Sequence, residues 1–190
     1  MTTWSLELRE RREIVAAPLP ALDLTLVQAR QPSPELSRFL YTATGGNWYW
    51  TDRLPWTHQQ WLDWLTRPGV ETWVAQLEGT PAGYFELDGS NTGEVELAYF
   101  GLLPACIGRG IGGWLLTRAL EQAWKHGPVR VWVHTCSLDG PNALANYKSR
   151  GMRVFKVATH RQQLEPAPPG PWPGAEAPGP RAVLPGPGEA

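Results

Sequence analysis

Four glycines fall within six residues at Gly108-Arg109-Gly110-Ile111-Gly112-Gly113, after an apolar stretch ending at Leu103 and before another opening at Trp114. A strand that runs through a glycine loop into a helix makes an anion site. The first N–H groups of a helix lack internal partners, and glycines let a phosphate approach them closely. Upstream, Glu94 and Glu96 alternate with apolar residues and so share one face of a strand that leads into the loop. Downstream, His134 and Cys136 share a face of another strand, and Tyr147 stands on a short helix. Carboxylates and an imidazole can carry protons. No third group accompanies Cys136 to make it a nucleophile, and by residue type alone Tyr147 reads as a core aromatic.

The elements that must hold these groups are set out by punctuation and periodicity. Trp4 to Leu8 alternates as a short strand, Arg9–Glu13 is a solvated charged run, and Leu22–Ala29 alternates as a half-buried strand. Pro34 opens a helix to about Thr42 that Gly45–Gly46 ends. A second helix takes Thr57 as N-cap with Gln60 three residues on, and presents Trp61, Leu62 and Leu65 to a core. Between the two helices lies an aromatic loop, Asn47 to Trp56, with Trp48, Trp50 and Trp56. Its simplest reading is a loop packed on its own domain; the sharper one is a wall of a substrate pocket.

Glu71–Leu77, Ala82–Leu87 and Glu94–Leu102 follow as strands joined by turn-rich connections, an antiparallel meander. Strict alternation in the third puts Val95, Leu97 and Tyr99 on one face and Glu94, Glu96, Ala98 and Phe100 on the other. The helix from Gly110 to His126 keeps Leu115, Leu116, Ala119, Leu120 and Ala123 on one stripe. A strand over Val129–Thr135, a helix over Asn142–Ser149 and a strand over Met152–Gln162 complete a mixed α+β arrangement.

At 190 residues the chain is expected to form one domain, Met1–Leu164, with a Pro/Gly-rich tail at 165–190 that cannot offset its ordering entropy and is expected to be disordered. A net charge of −1 gives no bulk attraction to nucleic acid. The two cysteines have no metal-ligand spacing, so no metal is expected and the setting reads as reducing and cytoplasmic. No leader peptide is visible, and no run approaches the ~20 apolar residues of a membrane span.

The glycine loop resembles the acyl-CoA pyrophosphate loop of the GNAT superfamily of N-acetyltransferases, Gln/Arg-x-x-Gly-x-Gly/Ala, with Ile107, Gly110 and Gly112 on the three specified positions. Tyr147-Lys148-Ser149-Arg150-Gly151-Met152 resembles the family's second signature, Tyr-x-x-x-Gly-Phe. Tyr99 to Pro104, Trp132 to Cys136 and Leu138-Asp139 look like a bacterial subgroup of that family. Gly108 to Gly113 also satisfies the dinucleotide pattern Gly-x-Gly-x-x-Gly. The preceding meander and the two strands left after the loop do not fit a doubly wound parallel sheet.

The resemblance implies a GNAT-like fold, a mostly antiparallel twisted sheet flanked by helices with strands splayed at the acyl-CoA site. It implies acetyl-CoA as cosubstrate and a small-molecule amine or a peptide amino terminus as acceptor. Homodimers are common among the proteins resembled. Gly101, Leu102 and Leu103 would then supply backbone N–H groups to the thioester and pantetheine, with Gly101 suited to a bulge or splay. The amides of the Leu103–Gly113 loop, among them Ile107, Gly108, Gly110, Ile111, Gly112 and Gly113, would take the pyrophosphate, with Arg109 adding charge. Asn142, five residues before Tyr147, is the nearest match to an Asn that the family often carries seven before, where Gly140 stands. Tyr147 falls on the general-acid position, Glu96 is the favoured base with His134 second, and Trp48, Trp50 and Trp56 would shape the acceptor site. A CoA-binding sensor or interaction module of the same fold is the alternative.

Overall fold

In the computed structural model, which describes residues 1–175, the turn-rich connections do what their composition predicts. β3 (Val70–Leu77), β4 (Thr80–Asp88) and β5 (Glu94–Leu102) form the antiparallel meander. β2 (Leu24–Gln28) pairs outside β3. On the other side stand β6 (Arg130–Cys136), β1 (Thr2–Leu8) and β7 (Arg153–Thr159), giving the order β2-β3-β4-β5-β6-β1-β7. Every neighbouring pair is antiparallel except β5 with β6, which run parallel. That pair is in register only from Glu94 to Glu96 against Arg130 to Trp132. Beyond those residues the two strands part, and a cleft lies in the gap.

Helices cover both faces. α3 (Ile111–Ala123) buries Leu115, Leu116, Ala119, Leu120 and Ala123 completely, so the predicted stripe faces the larger core, which α4 (Ala143–Ser149) joins through Tyr147. On the opposite face α1 (Pro34–Gly45) and α2 (His58–Leu65) close a smaller core around Leu40, Val74 and Tyr84. α1 starts at Ser33, whose hydroxyl accepts from the Leu36 N–H, and α2 starts with the Thr57/Gln60 capping box.

Alternation along β5 is interrupted. Glu86 stands opposite Tyr99 and Leu87 opposite Leu97, so Ala98 is an extra residue, a β-bulge. Val95 and Leu97 belong to the α3-side core, and after the bulge so do Phe100 and Leu102, while Tyr99 turns to the α1 side. Tyr99 therefore shares a face with Glu96, which corrects the face assigned to it by unbroken alternation. The bulge is at Ala98 and not at Gly101, which pairs regularly with Tyr84. Gly101 lacks a side chain for another reason: a Cβ there would lie 2.4 Å from the Thr44 methyl of α1.

Past Leu164, Gly170 N–H donates to the Gly46 carbonyl at 2.9 Å and Tyr49 Oη to the Glu165 carbonyl at 3.1 Å, so residues 165–170 touch the aromatic-loop side of the fold. Residues 176–190 of the expected tail lie outside the described residues. No helix among the described residues is long and apolar enough to cross a membrane.

Candidate active site

The parting of β5 and β6 opens a cleft of about 770 Å³ that runs from the glycine loop to the aromatic loop. At its first end, Gly108 and Gly110 both adopt φ +79°, a left-handed geometry that favours glycine, and Gly110 caps α3 with no side chain on its N-terminus. Among the described residues no protein acceptor takes the N–H groups of Gly108, Arg109 and Gly110, and the first amides of α3 have no i−4 carbonyl to bond. A Cβ at Gly108 would meet nothing within 4 Å, and one at Gly112 would lie 3.7 Å from Leu102, so the cradle is open toward the cleft. These amides fit a pyrophosphate. Asn146 Nδ2 donates to the Gly112 carbonyl at 3.3 Å and so ties α4 to the loop. Its sequence signal was only its place one residue before Tyr147.

Several residues of the expected cradle stand differently. Ile111 is fully buried in the core and offers the loop its backbone alone. Ile107 donates its N–H to the Pro104 carbonyl, and Arg109 is exposed to solvent. Leu103 N–H donates to the Ala82 carbonyl at 2.9 Å, so Leu103 cannot offer it to a ligand. In an antiparallel ladder bonded and non-bonded pairs alternate, so the residues before Leu103 and before Gly101, namely Leu102 and Phe100, turn their N–H groups away from β4 and toward the gap. Asn142 lies exposed at the cleft edge, with no side-chain cap on α4.

In the middle of the cleft Tyr147 is 5 % exposed and meets Phe100 edge-on at 6.0 Å. Burial, and secondarily the Asp139 charge, push its hydroxyl far above the usual phenol range, so it holds its proton. Across from it, His134 Nδ1 lies 3.2 Å from Glu96 Oε1. The Glu96 hydrogen bond holds the imidazole above its ordinary pKa, with burial opposing it and the Glu96, Asp139 and Asp52 charges adding to the rise. The structure thus unites the two candidate bases. His134 lines the cleft, whereas Glu96 stands behind it, and Glu94 is occupied by Arg130 at 2.7 Å. Cys136 also lines the cleft, but burial and the Asp139 charge push its thiol up, the wrong direction for a nucleophile.

Asp139 is a residue that the periodicities did not single out. Its Oδ2 accepts from Thr135 Oγ1 at 2.6 Å and from the Cys136 N–H at 2.9 Å, and its Oδ1 accepts from Trp50 Nε1 at 3.4 Å. The signal was an Asp just past a strand end and before Gly140-Pro141, the composition of a side-chain-closed turn. Through Trp50 it joins the β6 side of the cleft to the aromatic loop.

That loop is moored from behind. The Arg53 guanidinium lies 2.7 Å from Glu86 Oε1, both side chains being buried, and sits 4.1 Å from the Trp64 ring, 4.3 Å from Tyr99 and 4.6 Å from Trp56. Trp64 Nε1 donates to the same Glu86 oxygen at 2.9 Å, and the Arg53 N–H donates to Tyr41 Oη at 3.2 Å. Trp48 and Trp50 line the cleft, but Trp56 does not, because it covers the Arg53 charge and packs against Trp61.

With this geometry in view, the comparisons agree with the fold. The profile of the acetyltransferase (GNAT) family matches residues 33–152, and the chain belongs to that family. No curated protein matches it. Among solved structures it is similar to a GCN5-related N-acetyltransferase from Kribbella flavida, 18 % identical, with a TM-score of 0.61 over 83 % of this chain and 56 % of that one. It is similar also to one from Sphaerobacter thermophilus, 17 % identical, TM-score 0.61, over 82 % and 49 %. An aminoglycoside acetyltransferase from an uncultured soil metagenomic sample is 16 % identical, with a TM-score of 0.60 over 75 % of this chain and 97 % of its own. The chain spans about half the length of the first two. At such identities the likeness shows the fold.

Proposed function

We propose that the chain is a cytoplasmic acetyltransferase that moves the acetyl group of acetyl-CoA directly to a primary amine of a small molecule or an amino terminus, without a metal. The observation that carries this reading is the gap between β5 and β6. Along it lie the glycine loop, Tyr147 and His134, with Glu96 behind the imidazole, an arrangement that supports the reading. Acetyl-CoA, when bound, supplies the activated thioester.

The residues of the chain then divide the work. The amides of Gly108 to Gly113, with the positive end of α3, hold the pyrophosphate. The N–H groups of Leu102 and Phe100 donate to the carbonyl oxygen, where negative charge grows as the amine attacks. His134 takes the proton of the attacking amine, and Glu96 holds the imidazole in place and stabilises its charged form. Tyr147, kept protonated by its burial, gives its proton to the departing thiolate. Trp48 and Trp50 wall the acceptor side. A raised Cys136 thiol supports direct transfer over an acyl-enzyme.

Release of free thiol from acetyl-CoA over a panel of amines, amino acids and peptide termini tests this, with Tyr147→Phe as the matched control. At least one amine is expected to give turnover that the variant loses. Saturable acetyl-CoA binding with no thiol release from any amine would leave a CoA-binding module in place of an enzyme.

A further inference from the structure

Residues 160–171 cross from one side of the cleft to the other. They begin on the β6 side, where His160 exchanges two hydrogen bonds with Met1, accepting at 2.7 Å from its terminal amino group and donating at 3.0 Å to its carbonyl. Gln162 then lines the cleft. The far end is docked on the aromatic-loop side, by Tyr49 Oη donating to the Glu165 carbonyl and by Gly170 N–H donating to the Gly46 carbonyl. The docking surface is shaped for this contact. Tyr49 is held at φ +59°, a region that non-glycine residues seldom occupy, and this turn aims its hydroxyl at the segment. Gly46 has an ordinary helical φ of −57°, so its backbone does not need glycine. Its surroundings do: a Cβ there would lie 2.4 Å from the Gly170 carbonyl carbon and 2.5 Å from Pro171 N.

We propose that residues 160–171 form a strap that closes the open mouth of the cleft and makes its last acceptor wall, with Gln162 as the polar group that the strap presents to the acceptor. The inference rests on the acetyl-transfer reading. It adds that acceptor affinity depends on a segment outside the seven-stranded domain, held by a glycine and a tyrosine hydroxyl on the opposite side of the cleft. Acetyl-CoA, whose cradle lies at the other end, is indifferent to the strap.

Gly46→Ala is the direct test, because alanine suits the backbone of Gly46 and the nearest atoms its Cβ meets belong to the strap. Hydrogen exchange of the full chain reads docking at the Gly170 amide, and steady-state kinetics with an amine that the wild type acetylates reads function. Protection of Gly170 is expected to fall about tenfold or more and the amine KM to rise about fivefold, the effect of one lost hydrogen bond and its contacts, with acetyl-CoA affinity unchanged. Gln162→Ala, on an exposed residue that cannot unfold the domain, is expected to raise the amine KM with Gly170 still protected. Loss of protection in Gly46→Ala with an amine KM unchanged in both variants would overturn the role at the acceptor site. Unchanged protection in Gly46→Ala would overturn the docking. Absence of wild-type turnover with every amine would refute the acetyl-transfer reading instead, and the exchange result would still report whether the strap docks.

Discussion

At the scale of residues, the proposed chemistry turns on where two protons are kept. Tyr147 is a core aromatic and a cleft residue at once, and the same burial that makes it look structural keeps its proton in place. Tyr147→Phe is expected to lower turnover about a hundredfold or more while leaving acetyl-CoA affinity unchanged, as measured by thiol release and calorimetry. As the proposed base, His134 must be neutral to take a proton, so activity is expected to rise with pH through its pKa. Glu96 stabilises the imidazolium and holds that pKa up. Glu96→Gln is therefore expected to move the acid limb of the kcat/KM profile to lower pH; a limb unmoved by this change would remove Glu96 from the role. No falling limb is expected from Tyr147 in the working range, because its hydroxyl titrates far above it. The sequence placed Tyr147, Glu96 and His134 as candidates but could not show that two of them meet, since they lie 38 residues apart on strands that no local pattern pairs. Asn146 escaped because its partner is a backbone carbonyl of a distant segment, and Asp139 because its bond to Trp50 spans 89 residues of sequence.

At the scale of elements, the aromatic loop and the bulged strand determine the shape of the site. A charge is buried behind the loop: Arg53 and Glu86 are nearly inaccessible, and four rings, Trp56 of the loop, Trp61 and Trp64 of α2 and Tyr99 of β5, surround the guanidinium. Removing one partner of such a pair leaves the other uncompensated. Arg53→Met is expected to cost about 3–5 kcal/mol in denaturant unfolding, and adding Glu86→Gln should recover part of it. A loss no larger than that of an exposed arginine would refute the mooring. The division of labour among Trp48, Trp50 and Trp56 could not be read from spacing, because Arg53 decides it and an arginine in a loop carries no periodicity. The bulge was hidden for a related reason. Alternation runs unbroken through Glu94–Leu102, and only the register against β4 inserts Ala98 and turns Tyr99 toward the acceptor side.

At the scale of the whole molecule, nearly every element was legible, because capping residues, turns and apolar stripes are local. The sheet order was not. β1 enters between β6 and β7, and β5 meets β6 in parallel for three residues only, contacts made between segments far apart in sequence. The brevity of that contact creates the cleft, and the Pro and Gly content of the segment after Leu164 says nothing about its contacts with Gly46 and Tyr49. The proposed activity depends on what the glycine loop and the parted strands hold. Calorimetric titration of the full chain with acetyl-CoA tests that most directly. It predicts a single saturable site per chain whose heat is lost in Gly110→Trp, where a bulky side chain is forced onto a left-handed backbone in the cradle; no binding heat from the wild type, or undiminished binding by the variant, would contradict it.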